Sequence, residues 1–443
     1  MKDLRSSPPT VLFDYRRMFS ALRHPNYRLF FAGQTISNVG TWMQRVAAGW
    51  LVYGMTGSAF MLGFVAFIGQ VPSFLVSPFA GVLADRYPRR RLLLVVQSLA
   101  MLQALTLSFL VLTHTVRVWQ ICALSMFMGL VTATDVPVRQ AFTAEMLEHN
   151  AGNVLGNAIA LNSTMVNIAK LIGPTIAGLL IPLVGEGVCF LLNAISYLAV
   201  IASLLAMRVA DRTPVQGGKH MLLDLKEGFD YARRVASVRH ILLLLAVASL
   251  MGQPYLSLLP VFAKDVLRGG PNALGFLMAS SGAGALIGAL YLASRTTVRG
   301  LEKKIAAASV VFGLGLAAFS ASRNLYLSMA LLVVAGSGMM VQNVGGNTTL
   351  QSITGEDMRG RVMSFYAMAV MGMSPFGSLL AGAVATRIGT CQTVMAGGLC
   401  CAAAALFFAT RSSSIRESLL MAFDNTHPQA ELVTAGARPP GSS

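Results

Sequence analysis

Apolar residues in this chain gather in long runs, each wide enough for the helix of about 20 residues that crosses the hydrocarbon of a bilayer. Twelve runs are read, at about 28–54, 58–84, 91–113, 117–139, 154–183, 186–208, 239–263, 271–294, 302–321, 325–351, 359–388 and 390–411. Gly and Pro inside several of them are tolerated by membrane helices whose neighbours satisfy the freed backbone groups. The longest polar interruption, 209–238, splits the runs six and six. The expected fold is an all-α integral membrane protein of twelve transmembrane helices in two six-helix pseudo-symmetric halves, 28–208 and 239–411. A cytoplasmic segment 1–27 precedes them and a cytoplasmic linker 209–238 joins them. The polar tail 412–443, ending Arg438-Pro-Pro-Gly-Ser-Ser443, reads as disordered.

Composition excludes the rival classes. Of 443 residues, 55% are hydrophobic and only 12% charged, against about 25% charged in soluble domains. The five cysteines (Cys122, Cys189, Cys391, Cys400, Cys401) lie in or beside apolar runs without metal-ligand spacing, so no metal is expected and each serves as a small apolar filler. A net charge of +16 could suggest nucleic acid, but the bases sit in short loops between the runs. With the N-terminus inside, 27 of the 34 Lys and Arg fall on the inner side and 5 on the outer. This bias places both termini in the cytoplasm. Lys2, Arg5, Arg16, Arg17 and Arg23 precede any long run, so the first helix is not a cleaved signal.

The halves are weakly similar. At an offset of 204, Gly173-Pro174-Thr-Ile-Ala-Gly178 meets Gly377-Ser-Leu-Leu-Ala-Gly382, and at 208, Asp135 and Arg139 meet Asn343 and Asn347. Internal repeats suit a transporter whose site lies between halves.

The loop after the second run reads Gly81-Val-Leu-Ala-Asp85-Arg86-Tyr-Pro-Arg89-Arg90-Arg91. Topology alone explains its bases. It does not explain a small residue and an acid four apart at a helix end, where close approach and a charged partner are expected. With twelve runs and a basic central linker, this loop resembles the major facilitator superfamily. The stretches Asn26-Tyr-Arg-Leu-Phe-Phe-Ala-Gly-Gln34, Trp42-Met-Gln44, Trp50-Leu-Val-Tyr53, Pro137-Val-Arg139-Gln-Ala-Phe142 and Asn157-Ala-Ile-Ala-Leu-Asn162 resemble its bacterial branch of enterobactin-type siderophore exporters. The resemblance implies a bacterial inner membrane, and a gating latch at Gly81, Asp85, Arg86, Arg89 and Arg90. The loop after the eighth run lacks the acid, which puts a second latch in doubt. Gly173, Pro174 and Gly178 are similar to an antiporter pattern of the superfamily, although Leu179 stands where that pattern has another Gly; close helix packing explains them equally.

Three polar stripes follow helical spacing: Gln34, Asn38, Thr41 and Arg45; Ser163, Asn167 and Lys170; Asn343, Asn347 and Gln351. Single amides serve as glue between membrane helices, but three stripes suggest one aqueous substrate cavity. Arg45 and Lys170 each lie about 25 Å along their helices, at or beyond mid-membrane, with no acid at that depth. They bind carbonyls, snorkel, lose a proton, or await an anionic ligand. Asp135 and Arg139 form an i, i+4 pair with the acid first, the stabilising order; they are grouped with the latch because Asp135 could reach Arg89.

No catalytic pattern survives, so an enzyme is not expected and no cofactor is implied. The expectation is a secondary active exporter of a small organic molecule, siderophore-like or drug-like and acid-bearing, coupled to protons, working as a monomer by alternating access. An importer of the same fold and a non-transporting membrane sensor or scaffold are the alternatives.

Overall fold

A computed structural model describes residues 20–147, 153–207, 221–294 and 300–411, without side chains for 77–86, 153, 155 and 221–226. The described residues are almost entirely helical. After a turn at Ser20–Arg23 come α1 (Pro25–Thr56), α2 (Ala59–Arg86), α3 (Arg89–Leu112), α4 (Val118–Leu147) and α5 (Asn153–Ala206). Then follow α6 (Met221–Arg234), α7 (Ala236–Val247), α8 (Tyr255–Val261), α9 (Pro271–Ala293), α10 (Leu301–Ala321), α11 (Leu325–Ile353), α12 (Glu356–Ala367), α13 (Met373–Ile388) and α14 (Thr390–Thr410).

Ten stretches among the described residues are long and apolar enough to cross a membrane. One of them, α5, is far longer than a single crossing requires. Gly185, with φ 78°, breaks it where the runs 154–183 and 186–208 meet, and this backbone region is open to glycine at little cost. α1, 32 residues long, completes a set that fits twelve crossings. Large apolar side chains such as Leu102, Phe109, Leu290, Leu314 and Phe407 are exposed, a surface suited to lipid rather than water.

Three features differ from the sequence expectation. The 209–238 linker contains a helix, α6, whose Glu227 pairs with Arg361 of α12 at 2.7 Å. The seventh crossing is interrupted twice by wide turns closed by Gln253 N–H to Ala248 O and Leu267 N–H to Phe262 O, both 2.9 Å. Another wide turn, Met368–Gly372, joins α12 to α13. Such insertions gather at functional sites of membrane helices. Finally, α4 runs on to Leu147, eight residues past the expected end.

The repeat seen in sequence recurs as contacts. A Cβ on Gly178 of α5 would lie 3.0 Å from the Cα of Gly275 on α9; one on its repeat mate, Gly382 of α13, would lie 3.2 Å from the Cα of Gly63 on α2. Each half thus offers one helix to the other at a glycine pair. The remaining contacts between the halves include Phe67 and Phe74 on Phe376, Gly49 on Pro260 and Gly282 on the Lys170 backbone. Among the described residues these run from mid-depth to the end of the bundle where α1 finishes, called here the far end. The stripe Asn343, Asn347, Gln351 of α11 lies on the near side of that seam.

Candidate functional site

Trp42 of α1 organises the centre. The Arg45 guanidinium carbon sits 4.4 Å from the centroid of its ring, and Lys170 Nζ of α5 sits 5.6 Å from the same centroid. Close approach of the two helices makes this arrangement. A Cβ on Gly173 would stand 2.6 Å from the Trp42 Cβ and 2.7 Å from the Val39 carbonyl oxygen, so any larger residue would push α5 away from the indole. Among the described residues, neither base has a hydrogen-bond acceptor or an acid; beyond the ring, Arg45 lies within electrostatic reach of Tyr197 and of Lys170. A cation–π contact gives about 0.5–2 kcal/mol, and a base at mid-membrane costs about 3 kcal/mol on insertion scales. The ring therefore does not offset the cost. No carbonyl among the described residues accepts from either base, so the carbonyl alternative falls.

The other stripe residues divide. Thr41 donates to the Ser37 carbonyl at 2.9 Å and lies 3.4 Å from the Tyr197 hydroxyl. Asn38 donates to the Gln34 carbonyl at 2.8 Å. Ser163 is exposed, and Asn167 is buried, donating to the Ser163 carbonyl at 3.0 Å. Asn343 accepts at its carbonyl from Tyr366, while Gln351 donates to Asn347. Gln34 does not belong with a cavity. It is 3% exposed and accepts at Oε1 from Arg139 at 3.1 Å. Gln44 is likewise drawn into a buried amide chain with Gln103 and Asn193.

Arg139 pairs with Asp135 at 3.2 Å, and Gln97 of α3 donates to the other Asp135 oxygen at 2.7 Å. The reach of Asp135 to Arg89 is not what the structure shows. Arg89 instead pairs with Glu145 at 3.0 Å, nearly three turns further along α4 than Asp135, because α4 is longer than its apolar run. Arg90 donates to the carbonyls of Leu204 and Leu205 at 2.7 and 3.0 Å. Gly81, Asp85 and Arg86 close α2, and their side chains lie outside the described residues. Gly173 and Gly178 are close-packing positions against α1 and α9, with Pro174 between them contributing its carbonyl to the Gly275 contact.

At the far end, the Tyr53 hydroxyl of α1 donates to Asp265 beyond α8, and Lys264 Nζ lies 5.6 Å from the Tyr53 ring centroid. Here the first and seventh crossings are joined across the seam. The two residues stand 212 apart in the chain, and only the meeting of the halves links them. Tyr53→Phe removes the hydrogen bond and keeps the ring. A bond to a carboxylate contributes about 1.5 kcal/mol, so the far end should open about tenfold more often. In a cysteine-free background, Gly49→Cys, which lies beneath the Tyr53–Asp265 bond, should then react roughly tenfold faster with an impermeant thiol reagent. An unchanged rate would show that the bond does not hold the seam.

The family model described as transmembrane secretion effector matches residues 17–435. The chain is 26% identical over 393 residues to a staphyloferrin A transporter of Staphylococcus aureus, covering 88% of this chain and 97% of the relative. It is 25% identical to the multidrug efflux pump Tap of Mycolicibacterium fortuitum, covering 86% and 93%, and 23% identical to macrolide efflux protein A of Streptococcus pyogenes, covering 83% and 92%. In fold it is similar to a D-xylose–proton symporter, with a TM-score of 0.69 at 13% identity, covering 88% of this chain and 97% of that one.

Proposed function

The chain belongs to the transmembrane secretion effector family of the major facilitator superfamily, a multi-pass membrane transporter rather than an enzyme, and we propose that it exports a small acid-bearing organic molecule in exchange for protons. Its relatives by sequence carry siderophore, multidrug and macrolide names, which supports a small-molecule substrate and export. The observation that carries the anionic reading is the pair Arg45 and Lys170 on one indole with no counter-charge among the described residues. The base count supports an inner-membrane protein with cytoplasmic termini. In that orientation the far end, where Tyr53 meets Asp265, faces outward, and the polar stripes of α1, α5 and α11 are the proposed lining of a cavity reached from the cytoplasm. Asn38, Thr41, Arg45, Ser163, Lys170, Asn343, Asn347 and Gln351 are the cavity set. The loop Gly81–Arg90, with Glu145 as acid partner of Arg89, is the inner latch.

The test uses everted membrane vesicles, in which an exporter accumulates its substrate. Vesicles holding the protein should take up carboxyfluorescein on energisation, and collapse of the pH gradient should abolish uptake. Uptake into right-side-out vesicles instead would make the protein an importer. No flux of anionic, neutral or cationic dyes in either orientation would favour a sensor or scaffold.

A further inference from the structure

We propose that Asp135 is the group that carries the exchanged proton, with the Gln97 side-chain amide as the partner that serves both of its protonation states; this rests on the proton-driven export proposed above. The sequence contains 18 acids. Every other acid in or beside a membrane crossing stands within about two residues of a crossing's end or of the Gly185 break: Asp85, Glu145, Glu148, Glu186, Asp265, Glu302, Glu356 and Asp357. Asp135 lies deeper than these, four residues inside the apolar run 117–139 and about twelve residues, roughly 18 Å, from the end of α4. A proton carrier must be reachable from alternate sides, which a helix-end carboxylate is not.

The surroundings of Asp135 are those of a group that changes charge. Its side chain is 14% exposed, so water reaches it, and Arg139 holds one oxygen while Gln97 Nε2 donates to the other. Two buried atoms next to this cluster have no partner among the described residues: Gln97 Oε1 and Gln34 Nε2. An orphaned buried amide oxygen costs about 1–3 kcal/mol. When Asp135 takes a proton, a new O–H appears and one acceptor is lost. A half-turn of the Gln97 amide then offers Oε1 to that O–H, satisfying the atom left unpaired in the charged state. Arg139 loses its ion pair and keeps Gln34 Oε1, 3.1 Å away. Facing groups on the neighbouring elements are few. α3 offers Gln97 and α1 offers Gln34. From α5, Tyr197 lies within electrostatic reach of both Asp135 and Arg45. The described side chains of α2 carry no charge, and Asp85 and Arg86 of that helix lie outside the described set.

The proton does not have to displace the substrate. A return step open only to the neutral cluster, in which α4 is tied less tightly to α1 and α3, is enough to couple the two fluxes. The repeat mates Asn343 and Asn347 carry no charge, so the second half holds no equivalent carrier.

Two measurements on purified full-length protein test the assignment. In proteoliposomes, Asp135→Asn should keep exchange of carboxyfluorescein across the membrane and lose accumulation driven by a pH gradient. In pH-difference infrared spectra, the wild type should show a carboxyl C=O band that Asp135→Asn lacks. Accumulation that survives in the variant overturns the proposal, as does a wild-type spectrum holding no carboxyl band that the variant lacks. If the variant loses exchange as well, the infrared comparison decides alone. If the wild type itself does not accumulate dye, proton-driven export fails as a reading while the infrared band still judges Asp135.

Discussion

Replacing Arg45 or Lys170 by Gln should cut export of an anionic dye by about tenfold to a hundredfold while leaving neutral dyes within a few-fold of wild type. The magnitude follows from the loss of one charge-assisted contact, about 1.5–3 kcal/mol, in a site of reduced dielectric. Both bases stand over the Trp42 ring, from α1 and α5, so either loss weakens the same site. A cationic dye should behave oppositely. Wild type should export it poorly, and each neutralised variant should improve it, because one of two repelling charges is gone. Trp42→Phe should be milder, since a smaller ring still offers a face, though the weaker quadrupole lowers anionic and neutral transport together. The measurement is a matched series of anionic, neutral and cationic dyes in proteoliposomes. Equal loss across the series would make the bases structural, and a cationic dye as the best wild-type substrate would end the anionic reading.

Gly275→Val should abolish transport in a protein that still inserts. A Cβ at Gly275 would lie 2.5 Å from the Pro174 carbonyl oxygen and 2.7 Å from the Gly178 Cα, both backbone atoms that cannot step aside. The branched side chain is a wedge between the halves at the far end. The cycle needs that end to close once per turnover. Holding it open by more than about 1.4 kcal/mol makes the closed state tenfold rarer, and a backbone clash exceeds that. Spin labels at Met55→Cys and Arg268→Cys in a cysteine-free background should report a longer distance in the variant. Gly63→Val, the pseudo-symmetric counterpart beside Gly382, should act in the same way on the other seam. Transport and label distance both unchanged would mean the glycine pairs are not where the halves meet.

Much of the architecture is local and so was legible. The lengths of the apolar runs place the crossings, since a bilayer of fixed thickness imposes them. The break between the fifth and sixth runs coincides with Gly185, because only glycine takes φ 78° cheaply. The Asp135–Arg139 pair follows from i, i+4 spacing. Arg45 and Lys170 stand out by depth alone. The repeat of Gly178 at Gly382 was visible as weak similarity and became two interhelix seams.

What sequence could not determine is which helix each polar face meets. Gln34 shares a stripe with Asn38 and Thr41 yet turns to Arg139 of α4, because a polar stripe spans enough of the circumference to touch two neighbours. Asp135 was the expected partner of Arg89, and the length of α4 past its apolar run brings Glu145 to it instead. Tyr53 and Asp265 are 212 residues apart, and only the approach of the two halves joins them. The role of Trp42 likewise waited on Gly173, whose missing side chain brings α5 against the ring. Periodicity reports how a helix is built along its own axis. Rotation and spacing between helices come from small residues and glycines acting in pairs across the bundle, and those pairings exist only in the folded protein.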